Sequence, residues 1–209
     1  MKKIHLFYLV GTLLVMFPAV SGAQANREAA KLAREGAEAL KSKNWDKAVD
    51  LYRRAAELDH RNAPSLSAAL QHRATAYQTR QPPQYQKAIE DFSEALDITP
   101  DDQGIYERRA YAELKLNDYD RALTDYNELI KRKPNEARYY LLRSYIYEVK
   151  GDANAAIADC DKVLQMHHDN AEAKARKQRM QTLQAQQAAQ ASPPGPISAP
   201  SQAVSPKKP

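Results

Sequence analysis

The chain has 209 residues, only six glycines, and long stretches rich in Ala, Gln, Glu, Lys, Arg and Leu, a composition that points to helix and away from sheet. Its formal net charge is +5, but Lys2, Lys3, Lys207 and Lys208 lie at the two extremities, and setting them aside leaves about +1. Nucleic-acid binding needs a concentrated basic face, so that partner class is excluded.

Chain order begins with an address. Lys2-Lys3 precedes an apolar run from Ile4 to Phe17, then Pro18 and the small residues Ala19-Val-Ser-Gly-Ala-Gln-Ala25. This reads as a signal peptide over 1–25, cleaved after Ala23 or Ala25. The run is short for a membrane span, so a membrane association is expected only if the leader is kept. The expected location is the periplasm or the exterior of the cell. The one cysteine, Cys160, lies far from the cleavage site, so neither a lipid anchor there nor an intrachain disulfide is available.

Beyond the leader the chain repeats itself. Gln84–Pro100 and Asp118–Pro134 share one pattern: Tyr85, Ala88, Phe92 and Ala95 in the first, Tyr119, Ala122, Tyr126 and Leu129 in the second. Steps of three and four place each set on one helix face, and each run stops at a proline, which cannot continue a helix. A further amphipathic segment precedes the later copies, Gly104–Leu116 and Ala137–Lys150. The unit is two helices and two turns. Weaker copies open at Trp45 and Ala153, which sets the central alanines at 48, 88, 122 and 156. Between the first two lie six extra residues, two expected in the turn at Pro82-Pro83 and four in a loop near Asn62–Ser65.

This arrangement resembles the tetratricopeptide repeat (TPR). The likeness is carried by a small residue in each first helix (Gly36, Ala74, Ala110, Ser144), the aromatic opening each second helix (Trp45, Tyr85, Tyr119), the four alanines, the bulky Tyr52, Phe92 and Tyr126, and Pro100 and Pro134. The ends depart from it: Leu32 stands at a usual Trp, His60 and His168 at usual prolines, and Ala153 and Cys160 at aromatic and bulky places. The resemblance implies an all-α, right-handed superhelical solenoid of four TPR-like helix pairs, at about 29–62, 67–102, 103–136 and 137–170. A capping helix is expected over 170–191, with Asn170 as N-cap, Ala173, Met180 and Leu183 facing inward and Lys174, Arg176, Lys177 and Arg179 around the rest. Residues 192–209, rich in proline, are expected to form a disordered tail.

Catalytic chemistry finds little support. His167-His168-Asp169 reads as a solvated turn, not a metal site, because adjacent side chains diverge. Cys160 occupies a packing place, and Asp159 and Asp161 beside it should raise its thiol pKa. Glu90-Asp91 and Asp101-Asp102 read as solvated charge, and no phosphate loop or nucleophile elbow is present. The expectation is no enzyme, no cofactor and no metal.

In the family that this sequence resembles, the first helices line a concave groove that holds a partner's peptide or protein segment. The corresponding residues here are Tyr111, Arg108, Tyr145, Arg138, Leu141, His72, Gln71 and Lys115, with Tyr111 and Tyr145 expected as neighbours; Tyr145 and Leu141 could instead pack on the next helix. The family's clamp for acidic chaperone tails is not carried over: its places hold Ala33, Ala37, His72, Gly104 and Arg108. Arg73, Arg109 and Arg143 recur beside the small first-helix residues and read as stems whose heads reach nearby acids. The expected role is a non-catalytic interaction scaffold. Its rivals are a self-associating (homo-oligomeric) envelope subunit and an accessory to, or member of, the cell-wall enzymes.

Overall fold

The computed structural model describes residues 22–191. Residues 1–21 and the tail 192–209 lie outside the described residues, so most of the expected leader and all of the expected tail do too. Among the described residues there are nine α-helices and no strand: α1 Gly22–Lys41, α2 Trp45–Leu58, α3 Ala63–Thr79, α4 Tyr85–Ile98, α5 Gln103–Lys115, α6 Tyr119–Arg132, α7 Ala137–Lys150, α8 Ala153–Met166 and α9 Ala171–Ala191, with one 3-10 turn at His60–Asn62. The last four residues of the expected leader are thus part of α1.

Short polar residues set where helices start. The side chains of Asn44, Asp118 and Asp152 accept from the backbone N–H of Lys47, Arg121 and Ala155 at 3.3, 3.3 and 3.0 Å, satisfying donors that the first turn leaves open. Just before each cap sits a left-handed residue, Lys43 (φ 57°), Asn117 (φ 59°) and Gly151 (φ 76°). The cap's own N–H then reaches back five residues, to the carbonyls of Ala39, Glu113 and Tyr147. That closure lets the second helix fold straight back on the first. Two other junctions end just before a proline, Pro100 or Pro134, with Thr99 N–H bonding Ala95 O and Lys133 N–H bonding Leu129 O.

The described residues divide into two compact units, one ending at Arg73 and the other beginning at Ala74. In the first, α1 packs on α2 through Ala29, Leu32, Gly36 and Ala39 against Ala48, Tyr52 and Ala55, all buried. Gly36 lies so close to the Tyr52 ring that an added Cβ would sit 3.1 Å from it. Trp45 stacks on His72 with ring centroids 5.3 Å apart. In the second unit one core cluster joins α5, α6 and α7 (Ala110, Ala122, Tyr126, Leu129, Tyr139, Ile146). Another joins α7, α8 and α9 (Ala137, Tyr140, Cys160, Val163, Ala173). The alanines at 48, 88, 122 and 156 are each 0% exposed, the expected notches that admit a neighbouring helix.

Two expectations need correction, and the expected rise of the Cys160 pKa holds with burial as its larger cause. The four extra residues near Asn62–Ser65 are not a loop: α3 has 17 residues against 13 in α5 and 14 in α7, so the insertion is absorbed as about one more helical turn. Pro64 is tolerated there because it lies in the first turn, where its missing N–H has no partner to lose. Arg176 does not belong to the solvated side of α9 but is buried, as described below. The Cys160 thiol is pushed up first by burial, with Asp159 and Asp161 contributing least. Asn170 caps α9 as expected, accepting from Ala173 N–H at 2.8 Å.

Recurrent arginines tie successive helices. Arg109 forms two bonds to Asp125, 2.9 and 2.7 Å, and one to Ser93 at 3.1 Å. Arg143 repeats this with Asp159, 2.8 and 2.7 Å, and Asn127 at 2.6 Å. Each guanidinium on a first helix therefore reaches the second helix sixteen residues ahead and the one sixteen behind. Arg73 bonds Asp46 at 3.4 Å.

Candidate functional site: a pocket across α5, α6 and α7

Small residues bring α5, α6 and α7 together, and the larger side chains beside them enclose a pocket of about 250 Å³ lined by Glu107, Arg108, Tyr111, Leu114, Tyr126, Arg138 and Leu142. Leu114, Leu142 and the Tyr126 ring make its apolar wall. Tyr111 is 47% exposed yet held: Tyr85 meets it edge-on at 6.4 Å, and the Lys115 ammonium lies 5.2 Å from its ring. Rigid, half-exposed aromatic surface costs little entropy when a ligand covers it.

Charge in the pocket is biased. Glu107 is bonded by Arg138 and by the Tyr139 hydroxyl, so its carboxylate is already neutralised. Arg108 lies over the Phe92 ring at 5.7 Å. With Lys115 beside Tyr111, the local balance is basic. Burial pushes the Tyr126 hydroxyl up to about 12, and burial together with Glu107 does the same for Tyr139. Both remain protonated donors at any physiological pH.

Of the eight residues expected in the groove, Arg108, Tyr111 and Arg138 line this pocket and Lys115 adjoins it through Tyr111. Leu141 and Tyr145 turn instead to α9. The Leu141 carbonyl accepts from Arg176 at 3.2 Å, and the Arg176 guanidinium covers the Tyr145 ring at 5.8 Å. Tyr145 is therefore absent from the lining around Tyr111, although the two are thirty-four residues apart. Gln71 and His72 belong to the first unit, where Gln71 bonds Ser67 at 3.4 Å and His72 stacks on Trp45.

Two residues escaped the sequence. Tyr126 reads as pure packing, yet it forms part of the pocket wall. Glu113, at the last turn of α5, carries no signal in the sequence, yet it is only 2% exposed, with Oε2 lacking a hydrogen-bond partner. It borders a polar cavity of about 140 Å³ with Ser93, Arg109, Arg121, Thr124 and Asp125. Burial, reinforced by Asp125, raises its pKa to about 8. His168 pairs with Asp169 at 3.1 Å in a fully exposed turn.

Residues 107–175 match the profile of the tetratricopeptide repeat family. Those residues are tetratricopeptide repeats. Solved structures extend the likeness beyond those residues at low identity, and so speak to the fold. A TPR protein from Parabacteroides merdae aligns at 22% identity and a TM-score of 0.56, over 77% of this chain but 61% of that one, so this chain spans under two thirds of that relative. YrrB, a TPR protein with an unusual peptide-binding site, aligns at 16% identity and a TM-score of 0.57, over 79% of this chain and 84% of its own. The MamA protein aligns at 14% identity and a TM-score of 0.55, over 78% and 87%.

Proposed function

We propose that this protein is a non-catalytic scaffold that holds a segment of a partner protein in the α5–α7 pocket. The observation that carries the reading is the half-exposed Tyr111, in contact with Tyr85 and Lys115 and set between an apolar wall and an excess of arginine and lysine. A segment offering one apolar side chain and an acidic group complements that surface. A peptide ligand is also what the binding site of YrrB takes. We further propose that the protein works outside the cytoplasm, delivered by the Lys2–Ala25 leader, and that its partner is a protein of the envelope or exterior.

The test is crosslinking in the producing cell followed by identification of the captured proteins. Arg108→Ala combined with Tyr111→Ala should lose the specific partner while helix content stays unchanged, since neither side chain belongs to the buried core. Capture that is indifferent to the double substitution would rule this pocket out. Fractionation of the same cells checks the location, and recovery in the cytoplasm alone would rule out export.

A further inference from the structure

Tyr126 carries more than the packing of its place requires. The same place in the preceding helix pair holds Phe92, 0% exposed, so a bare ring is enough to fill the seam between helices. Tyr126 is 3% exposed and bears in addition a hydroxyl that no hydrogen bond reaches among the described residues. A buried phenol without a partner costs free energy, so stability alone gives no reason for the extra oxygen. Its neighbour Tyr139 is in the opposite condition, with its hydroxyl donated to Glu107.

The hydroxyl lies on the pocket side of the residue. Burial is the main cause of its raised pKa, and the charges that act on it next are those of Arg138 and then Glu107, both of which line the α5–α7 pocket together with Tyr126. Tyr52, at the matching place of the first unit, is raised by burial alone. The pocket volume of about 250 Å³ falls below the usual range of small-molecule sites, about 300–1,000 Å³, and suits one side chain of an extended segment. A purely aliphatic side chain entering between Leu114 and Leu142 would seal the phenol from water with nothing to accept its proton, which selects against it. A methylene stem that ends in a carbonyl-type oxygen satisfies the apolar wall and the hydroxyl together. We propose that the Tyr126 hydroxyl determines which partner residue enters the pocket, by donating to the side-chain oxygen of a glutamate or glutamine whose stem lies between Leu114 and Leu142. The inference rests on the reading of this pocket as a protein-binding site, and it gives the partner's oxygen a neutral donor inside the pocket in addition to the cations around it.

The test uses random peptides displayed on phage and selected on the purified protein. Peptides bound through the pocket are those lost with Arg108→Ala combined with Tyr111→Ala, and they should share one glutamate or glutamine. Tyr126→Phe should keep the melting temperature and helix content of the parent, because the hydroxyl has no bond to lose and Phe92 fills the same place with a ring alone. It should weaken the glutamate form of a selected peptide about 10-fold or more and the glutamine form about 5-fold, whereas the form with methionine at that position should bind the two proteins equally. Equal loss across the three forms, or loss in none, would overturn the proposal. A Tyr126→Phe protein that melts lower would also overturn it, by giving the hydroxyl a partner inside the fold. Peptides indifferent to Tyr126→Phe but lost with the Arg108 and Tyr111 substitutions would remove this inference and leave the pocket standing. Peptides indifferent to all of these changes, or no selected peptide at all, would remove the pocket and this inference with it.

Discussion

Glu113 and Lys43 are two residues whose surroundings oppose their chemistry. The Glu113 carboxyl is kept protonated near neutrality, its pKa raised from 4.5 to about 8, because burial disfavours the charge. A raised folded-state pKa means that the native state binds the proton more tightly than the unfolded one. This contribution to stability is whole below pH 4.5, declines as pH rises, and is gone above about 8. Urea unfolding at pH 5.5 and 8.5 should therefore show a loss of stability on the alkaline side, and Glu113→Gln, which mimics the protonated form, should flatten it. An unchanged slope in the variant would assign the effect elsewhere. Lys43 holds the left-handed turn position that Gly151 fills in the last repeat. Lys43→Gly should stabilise the first unit by about 1 kcal/mol, read as a raised melting temperature. Neither residue is legible in sequence: Glu113 sits at a helix end where charge is routinely solvated, and Lys43 shows nothing until its turn is aligned with Asn117 and Gly151.

Between helices, the alanine notches and the buried cap network decide how closely elements approach. Ala122 is 0% exposed in the cluster with Tyr126, Leu129 and Tyr139, so Ala122→Leu forces α5 and α6 apart and should cost about 1–3 kcal/mol in chemical denaturation. That notch was readable from the spacing of alanines alone. The fastening of α9 was not. Arg176 donates to Glu148 at 2.7 Å, Ser144 Oγ at 3.1 Å, the Leu141 carbonyl and Glu172. Arg179 adds a second grip on Glu148 and helps hold its carboxyl below the usual range. Pattern reading set Arg176 with its basic neighbours because helical spacing alone does not separate an arginine that snorkels from one whose head is buried. Arg176→Ala should destabilise the protein by about 2–3 kcal/mol, since it strips charge-assisted bonds from buried acceptors. Hydrogen exchange on the purified protein should report the loss first in α9.

At the scale of the molecule, the periodicity declared the helix-pair architecture, because a thirty-four-residue repeat of small and aromatic places has few other physical solutions. The candidate site was legible only in part. Arg108, Tyr111 and Arg138 converge, as their places on neighbouring first helices imply, whereas Tyr145 and Leu141 answer to α9, the helix that replaces a further repeat at the end of the row. Equivalence between repeats predicts neighbours only where the next unit is itself a full repeat.

The double reach of Arg109 and Arg143, sixteen residues forward and sixteen back, makes the joints that these two serve chemically interchangeable. Were 110–143 excised, Arg109 would inherit Asp159 as its forward acid while keeping Ser93 behind it, and the seam would close on like partners. Such a chain can lengthen or shorten by whole modules over evolutionary time without having to reinvent the fasteners between them.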